Sequence, residues 1–177
     1  MSTDTEQAAA VLRVLRRTKQ VRSFTSEPVD REALDQILEV ARWTGSSMNS
    51  QPWQFIVLHE RADLEGVAAT AKYARHVGKA ALAIAIVMPG EDAESEAYDE
   101  GRVAERILIA AHALDLGAGI GWAQGHEVAD VGKLLGVEEP AFIRTIVSIG
   151  HPSDEARKPR SAPGTARKPL SEIVRER

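Results

Sequence analysis

Ser46, Ser47, Asn49 and Gln51 stand close together in the run Gly45-Ser46-Ser47-Met48-Asn49-Ser50-Gln51-Pro52-Trp53-Gln54-Phe55. A plain turn needs one or two residues of special backbone geometry. Four hydroxyl or amide side chains ahead of an apolar segment do more, because together they can read the polar edge of a ligand from a rigid strand end.

A second group is Arg16-Arg17-Thr18-Lys19-Gln20-Val21-Arg22, four cations with a Thr and a Gln between them. Such a set offers the charge-assisted hydrogen bonds that a phosphate requires. A solvated helix end, favoured by the helix dipole, accounts for the same residues without a ligand. The third group, Arg167-Lys168-Pro169-Leu170-Ser171-Glu172-Ile173-Val174, returns to apolar residues after its cations. An unstructured basic terminus is the simpler reading, but Leu170, Ile173 and Val174 give the tail something to dock with, and docking carries Arg167 to a defined place.

Leu116-Gly117-Ala118-Gly119-Ile120-Gly121-Trp122 has the look of a dinucleotide glycine motif. That motif requires a strand before the glycines and a helix after them, and here the order is reversed. Two readings remain open: a tight packing turn, or a turn so bare that a flat ligand lies against its backbone.

Other chemistry is excluded or left without support. The chain has no cysteine, so disulfides, thiolate metal sites and thiol nucleophiles are absent, and redox chemistry needs a borrowed electron carrier. His59, His76, His112, His126 and His151 lack metal-ligand spacing, so no metal site is expected and each histidine reads as structural or surface. No strained G-x-S-x-G elbow surrounds Ser47 or Ser50. A formal net charge of -4 argues against a surface that tracks nucleic acid. No segment reads as a signal peptide or a membrane span, which makes the cytoplasm the expected location.

The elements that position these groups follow from periodicity. At 177 residues a single domain over 1–177 is expected, with a tail from about 152. A first helix ends near Arg17, and a second opens at Pro28 and Asp30 with the apolar stripe Leu34, Ile37, Leu38 and Ala41. Strands are expected over residues 55–58, 82–88, 120–123 and 143–149, the second buried on both faces. Helices are expected over 61–73, through Val103, Ile107, Ala110, Ala111 and Leu114, and over 128–135 with a stop at Gly136. Composition marks the acidic stretch 91–100 as a connecting loop. The tail from 157, with Pro159, Pro163, Pro169 and seven basic residues, reads as extended.

In this order the groups resemble the FMN-dependent nitroreductase family. Thr18-Lys19-Gln20-Val21-Arg22 followed by Phe24 is similar to its basic R-x-S-x-R/K segment, residues 46–55 to its S-x-x-N-x-Q-P-W-x-F loop, and residues 167–174 to its R-K-P-L-x-x-I/V tail. The resemblance implies an α+β fold, a three-layer α/β/α sandwich around a mixed, largely antiparallel sheet. It further implies a homodimer with the C-terminal tail exchanged and two FMN sites at the interface. On that model Lys19, Gln20, Arg22 and Arg167 hold the phosphate and the pyrimidine edge of the flavin. Thr18 stands where the family has its first Arg and Gln20 where it has Ser, so Arg17 or Lys19 supplies the remaining phosphate contact. Ser46, Ser47 and Asn49, with Gln51 of the same loop, reach the flavin from the second subunit, and Ala118, Gly119 and Ile120 line the ring. A helical excursion that bears substrate contacts in some members is short here, between residues 73 and 82, so substrate choice does not transfer.

The expected activity is that of an NAD(P)H-dependent flavin oxidoreductase acting on a nitroaromatic, a quinone or another small electrophilic acceptor. The flavin carries the hydride, so no side chain is assigned as a nucleophile, and Arg22 supplies charge beside N1 and O2. The alternatives are a deazaflavin-linked or flavin-processing protein of the same fold, and a non-catalytic module that binds an anionic polymer.

Overall fold

A computed structural model describes residues 3–158 and 167–177. Four strands form one antiparallel sheet: β1 (Gln54–Leu58), β2 (Leu82–Met88), β3 (Gly117–Trp122) and β4 (Phe142–Gly150), in the order β1-β2-β4-β3. Beyond these strands, Gln20 makes an isolated parallel bridge to Ala118 at the β3 edge, the parallel part of the expected mixed pairing.

β2 shows why the sheet is covered on both faces. Every one of its residues is buried, and they alternate: Leu82, Ile84, Ile86 and Met88 enter one core, Ala83, Ala85 and Val87 the other. The large residues meet α2 (Arg31–Arg42) and α4 (Ala93–Ala113), which contribute Leu34, Ile37, Ala41, Val103 and Ile107. The alanines leave room for α3 (Arg61–Thr70), the 3-10 segment Lys72–Lys79 and α5 (His126–Leu134), through Leu64, Val67, Ala74, Val77 and Val131. The result is the expected three-layer α/β/α sandwich. Each fully buried Ile or Leu contributes on the order of 1.5–3 kcal/mol relative to exposure.

β4 carries one irregularity. Ile86 faces Thr145 while Val87 faces Ile143, so Arg144 is an extra residue in the ladder. The bulge spaces Ile143 and Ile146 three apart yet keeps both in the same core.

The acidic stretch 91–100 is not a loop. α4 begins at Ala93, and Glu96, Asp99 and Glu100 are buried within it. Asp92 caps the helix by accepting from the amides of Glu94 and Ser95, and Glu96 accepts from those of Gly90, Glu91 and Asp92. Glu100 is paired with Arg144 across the sheet end, its Oε2 3.0 Å from Nε. Acid composition near a helix start marks dipole and capping partners as readily as solvated loop.

Three further boundaries differ from the sequence reading. The helix expected to reach residue 73 stops at Thr70, and the chain continues as the tighter 3-10 segment Lys72–Lys79. The turn after α4 lies at residues 114–116, where Asp115 takes φ 57, so Gly117, Gly119 and Gly121 belong to a strand instead. Part of the expected extended tail, residues 159–166, lies outside the described residues. The chain also forms two short helices, α6 (Asp154–Arg157) and α7 (Leu170–Ile173).

The first helix, α1 (Thr3–Arg17), has its expected extent, but its stripe does not face this chain's core. Val11, Leu12 and Leu15 are 56%, 58% and 47% exposed. Among the described residues no helix is long and apolar enough to cross a membrane, and no cluster of His, Asp and Glu could hold a metal ion.

Candidate flavin site

After α1 the backbone runs extended beside β3. Val21 donates its amide to the Ala118 carbonyl at 2.7 Å, and the Ile120 amide donates to Gln20 Oε1 at 2.7 Å. In an extended segment successive side chains point to opposite sides, and the basic group divides accordingly. Val21 is buried, and Lys19 turns to donate from Nζ to the Ala156 carbonyl at 2.9 Å. Gln20 and Arg22 take the other side. Thr18 closes the helix by donating from Oγ1 to the Val14 carbonyl, and Arg17 stays exposed in the last turn.

Arg22 lies against Gly119. A Cβ built on Gly119 would meet the Val21 carbonyl oxygen at 2.3 Å, Arg22 Cγ at 3.1 Å and His76 Nε2 at 3.3 Å. One on Gly117 would strike Val21 Cγ1 at 2.6 Å, and one on Gly121 would strike Ala74 Cβ at 2.8 Å. The glycines' bare faces are thus filled by the chain itself. Of the two readings of this motif, close packing explains the glycines.

His76, read from the sequence as structural or surface, belongs to this cluster. Its Nε2 is 3.2 Å from the Gly119 carbonyl, which also accepts from Ser148 Oγ at 3.0 Å. Burial pushes its pKa down; the bond to Gly119 opposes that, and the Arg22 charge adds to it. The neutral ring is therefore favoured. Nothing in local spacing marks His76, because its partners lie far away in the chain.

The polar loop forms a separate unit. Ser47–Asn49 is a 3-10 turn, and Met48, Asn49 and Gln51 take φ 47, 57 and 49. Left-handed backbone at a residue other than glycine costs on the order of 1–3 kcal/mol and persists only where the surroundings impose it. Here Gln51 donates its amide to Ser46 Oγ at 2.8 Å and its Nε2 to the Asn49 carbonyl at 3.2 Å. The Ser47 amide donates to Asp99 Oδ2 at 3.3 Å, which ties the loop to α4, and buried Trp53 anchors its far end. Ser46 and Ser47 border a cavity of about 520 Å³ that Tyr98, Asp99 and Arg102 also line.

The sheet separates these two units. The loop enters β1 at one edge, level with Val87 and Ile143, whereas Gln20 and Arg22 lie against β3 at the other edge, where Ala118 is level with Ile149 and Leu82. From the start of β1 to the segment outside β3, four strand spacings and five residues of rise amount to about 19 Å across the sheet and about 17 Å along it. The fold thus brings Gln20, Arg22, Ala118, Gly119 and Ile120 together. It does not bring Ser46, Ser47, Asn49 and Gln51 to them within one chain. Arg167 stands exposed ahead of α7.

Comparison with known proteins is in keeping with this architecture. Residues 15–92 match the model of the Nitroreductase family. A candidate NADH dehydrogenase/NAD(P)H nitroreductase of Archaeoglobus fulgidus is 26% identical over 152 residues, covering 81% of this chain and 86% of its own. A candidate nitroreductase from Desulfovibrio desulfuricans, solved in complex with FMN, is 28% identical with a TM-score of 0.75, over 94% of this chain and 96% of that one. An FMN-dependent nitroreductase from Clostridium difficile shares the fold with a TM-score of 0.76 at 24% identity, over 80% of this chain and 87% of its own.

Proposed function

We propose, from the match of residues 15–92 to the Nitroreductase family and the likeness to the relatives above, that this chain belongs to that family and is an FMN-dependent oxidoreductase passing hydride from NAD(P)H to a small electrophilic acceptor such as a nitroaromatic or a quinone. The observation that carries this reading is Arg22, brought against the glycine edge of β3 by a segment zipped to Ala118 and Ile120.

The donor set fits the cofactor. Bound FMN supplies the hydride-accepting N5 and the electrons for the acceptor. Arg22 supplies fixed positive charge and hydrogen-bond donors for the N1 and O2 edge, where negative charge develops on reduction. The Gln20 Oε1 bond to Ile120 leaves its Nε2 as a donor on the same side. Arg17, with Arg167 of the tail, serves the phosphate, because Lys19 is turned to Ala156.

Ser46, Ser47, Asn49 and Gln51 act on the flavin of a second copy of the chain. Their distance from Arg22 within one chain is the reason for this assignment. The same dimer covers apolar surface left open here: Val11, Leu12 and Leu15 of α1, and Leu170, Ile173 and Val174 of the tail, all close to half exposed or more. An exchanged tail also protects β1, whose outer edge has no neighbouring strand among the described residues.

The absorption spectrum of the purified protein tests this directly. A yellow, dimeric preparation whose flavin bands bleach on anaerobic addition of NADH or NADPH is expected. A well-folded preparation that retains no FMN when given an excess of it overturns the reading. Flavin that bleaches only with a reduced deazaflavin favours the deazaflavin-linked alternative.

A further inference from the structure

We infer that His76 accepts the imide N–H of the flavin's pyrimidine edge and thereby sets the ring in register with Arg22; this rests on the flavin reading above. A flavin's pyrimidine edge presents carbonyl oxygens O2 and O4 on either side of N3–H, two acceptors around one donor. The protein groups gathered at β3 are rich in donors: the Arg22 guanidinium and Gln20 Nε2. An acceptor is what the edge still requires.

Three neighbouring acceptors already receive bonds from within the chain. Gln20 Oε1 receives the Ile120 amide, the Ala118 carbonyl receives the Val21 amide, and the Gly119 carbonyl receives Ser148 Oγ. His76 differs. A carbonyl can only accept, so the 3.2 Å contact with Gly119 requires the proton on Nε2. In the neutral ring that leaves Nδ1 with a lone pair. No other hydrogen bond reaches His76 among the described residues.

The backbone that carries His76 is held from three directions, which is what a register-setting residue needs. Arg61 donates to the carbonyls of Gly78 and Ala80 at 2.8 and 3.2 Å. The Lys72 amide donates to Glu127 Oε1 at 3.1 Å. Ala74 is fully buried, packed where a side chain on Gly121 would be. With three residues per turn, buried Ala71, Ala74 and Val77 face inward and His76 lies on the flank beside Arg22.

The test is flavin binding to the full-length apoprotein, followed by flavin fluorescence, with FMN and with its N3-methyl derivative, which lacks the imide proton. Wild type should bind FMN about tenfold more tightly than the methylated flavin. His76→Phe keeps the bulk of the ring and removes the acceptor, so it should bind the two flavins alike; His76→Gln, which retains an acceptor oxygen, should keep most of the preference. Wild type that binds both flavins equally, or His76→Phe that keeps the full preference, overturns the assignment and leaves the flavin reading standing. Failure of wild type to bind either flavin removes the flavin reading itself. Circular dichroism checks the fold, and His76→Leu replaces the Phe variant if that one does not fold.

Discussion

Gln20 and Ile120 are joined by a 2.7 Å bond from the Ile120 amide to Gln20 Oε1, so a side chain of the basic segment completes the edge of a strand a hundred residues later. Removing it exposes a backbone donor in a half-buried place. Gln20→Ala should cost about 1–3 kcal/mol in urea unfolding and lower FMN content, because Arg22 loses its neighbouring anchor. Gln20→Glu keeps the acceptor and should retain more of the stability.

Arg22 and Lys19 are both cations of the same segment, yet they point to opposite sides. Arg22→Ala should weaken FMN binding by about 10- to 100-fold, the equivalent of about 1.5–3 kcal/mol for a charge-assisted bond. Lys19→Ala should change affinity less than about threefold, its partner being the Ala156 carbonyl. Titration of both apoproteins decides, and equal losses would refute the division of the segment.

The glycines separate in the same way. Gly119→Ala forces a Cβ to 2.3 Å from the Val21 carbonyl oxygen and should destabilise the protein while displacing Arg22. Gly101, in the middle of α4, has nothing within 4 Å of an added Cβ. Gly101→Ala should stabilise the chain by about 0.5–1 kcal/mol through helix propensity. Thermal melts of the two variants, measured together, check both signs.

His76 carries a pH dependence of known sign. Its folded pKa lies below its ordinary value, so the unfolded chain binds the proton more readily. The stability this gives is complete above about pH 6.5 and is lost as pH falls from there through the folded pKa. Wild type should therefore lose more stability than His76→Phe between pH 8 and 5 in urea melts, and parallel profiles would show that the ring does not titrate as described.

The tail is tested by ending the chain at residue 158. Leu170, Ile173 and Val174 are then missing, along with Arg167. Gel filtration should show loss of the proposed dimer, and the spectrum should show loss of FMN. Retention of both would separate the tail from the interface and from the phosphate.

Much of this protein was determined by its sequence because the deciding interactions are local. The apolar run of β2, the stripe of α2 with its Asp30 cap, and the stop at Gly136 are read from neighbours a few positions apart, and the structure reproduces them. The loop of residues 45–55 announces itself by residue type. Tertiary structure decided what depends on distant partners. Glu96, Asp99 and Glu100 lie inside a helix because backbone amides, Ser47 and Arg144 receive their charges, and composition alone cannot see such partners. The glycines of β3 are needed for Val21 and Ala74, which lie elsewhere in the chain. His76 acquires a role only when a 3-10 segment pinned by Arg61 and Glu127 sets it over Gly119. Periodicity encodes which face of an element is buried, whereas the identity of what meets that face is settled by contacts that close only when the chain is folded.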